Sequence, residues 1–124
     1  MDTMGGLNRM IAYIEAHLDE ALDNAALARV AGCSQWHLQR MFPFIAGIPL
    51  SEYIRRRRLT AAAFALQMGE DKVIDLAAKY GYESPTAFNR AFQAVHGISP
   101  SAARRQGAAL KAYPVMSFHL SVNV

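Results

Sequence analysis

Within the stretch SQWHLQRMFPFIAG, from Ser34 to Gly47, four side chains stand out for the chemistry they could do together: Gln35, Trp36, Gln39 and Arg40. At helical spacing Leu38, Met41, Phe42 and Ile45 make an apolar stripe that wants a core, and the four fall on the other side. A core does not need that face. A solvent-facing arginine can donate two hydrogen bonds to guanine O6 and N7, and a glutamine can pair likewise with adenine N6 and N7. Each such pair discriminates by about 1 to 3 kcal/mol. Gln39 taken alone says little, because a surface glutamine usually does nothing specific. Trp36, opposite the stripe, suits a sugar, methyl or phosphate contact better than a core.

The pattern returns fifty residues later as SPTAFNRAFQAVHG, from Ser84 to Gly97, where Phe88, Ala91, Phe92 and Val95 repeat the stripe. Arg90 echoes Arg40, Phe92 echoes Phe42, and Gly97-Ile98 echoes Gly47-Ile48. Upstream, Leu27-Ala28 and Gly32 are matched by Leu76-Ala77 and Gly81, with one residue of offset absorbed in the turn. The chain contains one unit twice.

Other chemistries find little support. Cys33 and His37 lie at i and i+4 and His17, His96 and His119 are scattered, so no metal set is completed and no metal or cofactor is expected. Asp19, Glu20 and Asp23, and the pair Glu70-Asp71, are explained by caps and solvated turns rather than by a paired acid and base. No sequence feature favours an enzyme.

The elements that must hold the two faces follow from the breakers and caps. Leu7 to Leu18 has the spacing of an amphipathic helix. Asp23 or Asn24 can cap a second helix that Gly32 ends, and Ser34 caps the next, which together make a helix-turn-helix signature. Pro49 opens a helix running to Met68, about 28 Å long at 1.5 Å per residue and so comparable with the ~34 Å of one turn of B-DNA. It reads as a spacer between the repeats. Asp71 is expected to cap the helix from Val73 to Tyr80 that Gly81 ends. Ser84-Pro85 and Ser99-Pro100 each give a cap followed by proline at the first helical position. The expected fold is all-α: seven helices, with two helix-turn-helix units on a long linker helix. The expected boundaries are 5–106 for the double unit (24–47, linker helix 49–68, then 71–97) and 107–124 for a linker and strand. In that tail, YPVMSFHLSVNV alternates apolar Met116, Phe118, Leu120, Val122 and Val124 with polar neighbours, a strand pattern. A lone strand lacks a partner in a helical body, so it is expected to open a missing β-containing domain or to pair across a dimer.

At 124 residues, with 52% hydrophobic and 19% charged side chains, the chain has a globular composition and one compact body is expected. It has no apolar run of ~20 residues and its start lacks a secretion pattern. With a single cysteine these features point to the reducing cytoplasm. The net charge is only +3, but residues 1–24 carry five acids against Arg9, and residues 29–58 carry Arg29, Arg40 and Arg55 to Arg58 against Glu52. Such polarity suits a face that meets an anionic polymer. On a helix Arg55 to Arg58 fan round nearly a full turn, so only Arg55 and Arg58 share a face. One or two are expected at phosphate and the others in structural roles.

The runs WHLQRMF (Trp36 to Phe42) and GYESPTAFNRAFQAVHGISPSAAR (Gly81 to Arg104), with the two-repeat layout, resemble the DNA-binding domain of the AraC/XylS family of bacterial transcription regulators. The resemblance covers about residues 5–106. It implies two reader helices in successive major-groove segments of an asymmetric site, with Trp36, Gln39 and Arg40 reading in the first and Thr86, Ala87 and Arg90 in the second. Ser34, Gln35, Ser84, Pro85, Asn89, Arg55 and Arg58 complete the expected DNA-binding set, the capped helix starts at Ser34, Ser51 and Ser84 offering amides to phosphate. RNA polymerase is the implied protein partner of such a regulator, an activator in this reading, and a small-molecule effector would act only through a missing C-terminal domain. No membrane partner is expected. Two departures matter: Pro43 is expected to end or kink the first reader just past Arg40, and Pro85 and Ala87 leave readout by the second largely to Arg90 and Thr86. The competing class is a helical protein-interaction or dimerisation module of a ligand sensor.

Overall fold

The computed structural model describes residues 2–69, 71–105 and 110–122. Through them run α1 (Thr3–Ala16), α2 (Asn24–Ala31), α3 (Gln35–Ala46), α4 (Leu50–Met68), α5 (Val73–Lys79), α6 (Pro85–His96) and α7 (Pro100–Ala103), and no strand occurs among these residues. No helix there is long and apolar enough to cross a membrane.

Side-chain oxygens satisfy the orphan amides at most helix starts. Asp2 accepts from Gly5 N at 2.9 Å, Asp23 from Ala25 N at 3.1 Å, Ser34 from His37 N, Ser84 from Ala87 N and Ser99 from Ala102 N. Because Asp2 caps α1, that helix starts four residues ahead of Leu7. Two expected caps are not formed. α5 begins after Lys72, whose side chain makes no capping bond, so Asp71 stands one residue too early. Ser51 lies inside α4, behind Leu50, where it cannot reach back to the orphan amides. Nor does Pro43 end α3. Its missing N–H removes only the bond to the carbonyl of Gln39, an exposed residue that water can serve, and the helix runs on to Ala46.

The chain divides into two compact units, Met1–Ile54 with Pro114–Val124, and Arg55–Tyr113. In the first, α1 packs on α2 and α2 on α3, and Leu7, Met10, Ile14, Leu27, Leu38, Phe42 and Tyr53 are all fully buried. Gly6 is required where α1 meets α2, since a Cβ there would lie 2.2 Å from the Ala31 carbonyl oxygen. In the second unit, Phe88 and Phe92 pack with centroids 5.7 Å apart among Leu59, Leu66 and Leu76. His96 is buried there, its Nε2–H donating to the Leu59 carbonyl at 3.0 Å while Nδ1 accepts from Lys111 N at 3.2 Å. A carbonyl can only accept and an amide only donate, so these partners specify the neutral Nε2–H tautomer.

The tail departs from the strand expectation. Val124 lies outside the described residues, and over 110–122 the alternation resolves into one buried side chain, Phe118, with Met116 half-buried and Leu120 and Val122 exposed. Helices have no free edge for a strand, so side chains take its place. Asn8 Nδ2 donates to the Phe118 carbonyl at 2.9 Å, and Phe118 N donates to Asn8 Oδ1 at 2.8 Å. Met116 N donates to the Tyr53 hydroxyl at 3.2 Å. In the second unit Tyr113 N donates to Thr60 Oγ1 at 2.9 Å, and the Arg57 guanidinium donates to the Tyr113 carbonyl.

Removing the Asn8 amide leaves both polar groups of Phe118 without that partner. We expect Asn8→Ala to lower the unfolding free energy by about 1 to 3 kcal/mol in urea titrations. Isosteric Asn8→Asp should cost as much, because a carboxylate oxygen would face the Phe118 carbonyl; wild-type stability in that variant would contradict the clamp.

Candidate nucleic-acid interface

Burial sets the rotation of α3. Leu38 and Phe42 are fully buried, and at about 100° per residue the direction opposite their mean is that of Arg40. Trp36 and Phe44 lie about 40° to either side of Arg40 on the same reckoning, and they are 69% and 91% exposed. The Arg40 guanidinium carbon sits 4.8 Å from the Trp36 ring centroid, held by the negative face of the ring. Gln35 and Gln39 are exposed on the flank. Ile45, expected in the core stripe, is 38% exposed, because the core side is filled by Leu38 and Phe42 one and two turns earlier.

In the second unit α6 repeats this register at an offset of fifty residues. Ser84 caps it as Ser34 caps α3, and Gly97 (φ 76°) closes it in the left-handed conformation as Gly47 (φ 83°) closes α3. Phe88 and Phe92 are buried where Leu38 and Phe42 are, so Arg90 takes the place of Arg40, Thr86 that of Trp36 and Ala94 that of Phe44. Arg90, Thr86, Pro85 and Ala87 are exposed. Asn89 is turned partly inward, with Oδ1 buried and without a hydrogen-bond partner among the described residues.

The four arginines of α4 divide as their fan requires. Arg56 lies over the Tyr113 ring at 5.1 Å and Arg57 bonds the Tyr113 carbonyl, so both serve the tail. Arg55 is half-buried. Arg58 is half-buried too, and burial lowers its guanidinium from the ordinary arginine value, with Tyr82 opposing. Burial likewise raises the Cys33 thiol above its ordinary value. No cluster of three or more His, Cys, Asp or Glu that could hold a metal ion occurs among the described residues.

The surface of α3 holds one residue that sequence reasoning missed. Phe44 stands four places after Arg40, a spacing visible in the sequence, but it is passed over once Pro43 is taken to end the helix. The tail contacts of Arg56 and Arg57 carry no signal in the sequence.

Residues 27–106 match the family model described as a helix-turn-helix domain. The chain is 44% identical over 95 residues to the HTH-type transcriptional activator AarP of Providencia stuartii, covering 77% of this chain and 70% of AarP. Several further curated relatives, at 38% identity, are longer, and the chain spans 36% of their length. Among solved structures, an AraC-type DNA-binding regulator of Chromobacterium violaceum superposes with a TM-score of 0.74 at 25% identity, over 80% of this chain and 88% of that one. The DNA-binding domain of AdpA, solved in complex with a target DNA, does so with a TM-score of 0.71 at 28% identity, over 80% and 89%.

Trp36 is the only tryptophan, so its fluorescence reports on this face alone. We expect acrylamide to quench it almost as freely as free indole, and quenching to fall several-fold when a cognate duplex covers α3. Arg40→Ala should leave the unfolding free energy within about 0.5 kcal/mol while requiring about 10- to 100-fold more duplex for the same protection.

Proposed function

The chain belongs to the AraC-type family of helix-turn-helix transcription regulators, and from that premise we propose that it reads an asymmetric duplex site with two unlike helices, α3 and α6. It is a DNA-binding regulator and not an enzyme. The observation that carries the proposal is the repeated placement of an arginine directly opposite two fully buried side chains: Arg40 against Leu38 and Phe42, and Arg90 against Phe88 and Phe92.

In this reading each arginine donates to guanine O6 and N7 in its own stretch of major groove. Trp36 steadies Arg40 and packs on sugar or a base methyl, Gln39 reaches adenine or phosphate from the flank, and Thr86 with Ala87 lies beside the base read by Arg90. Gln35 and Asn89 contribute amide donors at the edges, and Pro85 shapes the start of α6. Amides at the helix starts capped by Ser34 and Ser84 bind phosphate, and Arg55 and Arg58 add cationic attraction. The readout is activation, as for the transcriptional activator AarP, through contact with RNA polymerase in the cytoplasm. Phe64 and Met68, 50% and 86% exposed on α4, are available for such a protein contact. A small-molecule effector, in the same reading, would work through a further domain following the tail.

Selection of a random duplex library on the chain tests the proposal, with Arg40→Ala and Arg90→Ala run beside it at one salt concentration. We expect two short enriched blocks about one helical turn apart, each variant losing one block and about 10- to 100-fold in affinity. Weak binding that is equal on all duplexes and wholly salt-driven would overturn it.

A further inference from the structure

Phe44 is the most exposed large apolar side chain in the described chain, at 91%, and it stands on the face that presents Arg40. Pro43 does not stop α3, so the helix still has regular geometry at this point. Four residues of helix advance about 6 Å, which is close to two base-pair steps of ~3.4 Å. Phe44 lies about 40° from the direction of Arg40, nearer than Gln39, which lies about 100° away. The corresponding residue of α6 is Ala94, so the ring belongs to one reader only.

We propose that Phe44 is a third reading side chain of α3, packing its ring on the C5-methyl of a thymine about two base pairs beyond the base contacted by Arg40. The inference rests on α3 being a DNA reader. An apolar ring carries no hydrogen-bonding group, and the one apolar feature of a base-pair edge in the major groove is the thymine methyl. The surface is continuous with Trp36 and Arg40. A protein partner seated on Phe44 would also cover Arg40 and close the reader, which argues for duplex as the occupant.

The test uses the whole chain and the duplex obtained by selection. Thymines of the first block are replaced one at a time by deoxyuridine, which removes only the methyl group, and affinity is read by fluorescence anisotropy at fixed salt. Wild type should lose about fourfold, the value of one buried methyl, at the thymine about two base pairs beyond the guanine lost in Arg40→Ala. Phe44→Ala should bind the intact duplex at least that much more weakly and no longer respond to that replacement. Its urea midpoint should stay at the wild-type value, since the ring supports no core. The proposal fails if wild type ignores every replacement, if Phe44→Ala responds as wild type does, or if the selected block holds no thymine at that spacing from the guanine lost in Arg40→Ala. In each of those cases specific binding that depends on Arg40 still upholds α3 as a reader. Failure to select any duplex would instead defeat the reading on which the inference rests.

Discussion

Burial of Leu38 and Phe42 fixes the rotation of α3 about its own axis, and with it everything that helix shows to solvent. The Phe42 ring meets Tyr53 at 6.1 Å and Phe118 at 6.0 Å between centroids, so α4 and the tail both close its pocket. A slip of one residue would turn the outer face by about 100° and replace Arg40 with a neighbour. Phe88 and Phe92 do the same for α6, with Tyr82 at 5.4 Å from Phe88 and His96 at 4.5 Å from Phe92. Each unit therefore orients its own outward arginine with its own aromatic cluster.

The tail shows how a segment without secondary structure is held by such units. Its amides and carbonyls still need partners where they are covered, and α-helices offer no open ladder. Asn8, Tyr53, Thr60, Arg57 and His96 supply those partners one side chain at a time. This also accounts for half of the arginine run: Arg56 and Arg57 both meet Tyr113 of the tail. Such a mesh is specific in a way that a hydrophobic contact is not. The two backbone partners of His96 accept only one tautomer, and the two of Asn8 require one donor and one acceptor.

Much of this could be read from the residues. The caps at Asp23, Ser34, Ser84 and Ser99, with Gly32, Gly47 and Gly97 in the left-handed conformation, are local signals, and local signals do not depend on what packs against them. The repeat placed Arg40 and Arg90 on equivalent outward positions for the same reason. What failed was non-local. The alternation from Met116 to Val122 describes a strand only if an edge exists to receive it, and the chain offers Asn8 instead. Pro43 breaks a helix only if the lost bond is not made good, and Gln39 is exposed to water. Treating it as a stop also hid Phe44. Asn89 looks outward by spacing, yet its Oδ1 is buried, because periodicity gives a direction and not a rotamer.

As the proposed readers, α3 and α6 share a register of caps and buried side chains and differ in what they place around the arginine. Arg40 stacks on Trp36, so part of its rotamer freedom is already given up before any base is met, and the fork is pre-organised. Arg90 stands between Thr86 and Ala94, too small to hold it, and must lose that freedom on binding. Equal hydrogen bonds to guanine would thus leave unequal net free energies. The net charge of +3 adds little bulk attraction to mask the difference, since the sequence-independent term grows with the number of phosphates neutralised. We therefore expect the first reader to carry the larger share of discrimination, which the relative information content of the two selected blocks measures; equal blocks would mean that stacking on Trp36 contributes nothing to recognition.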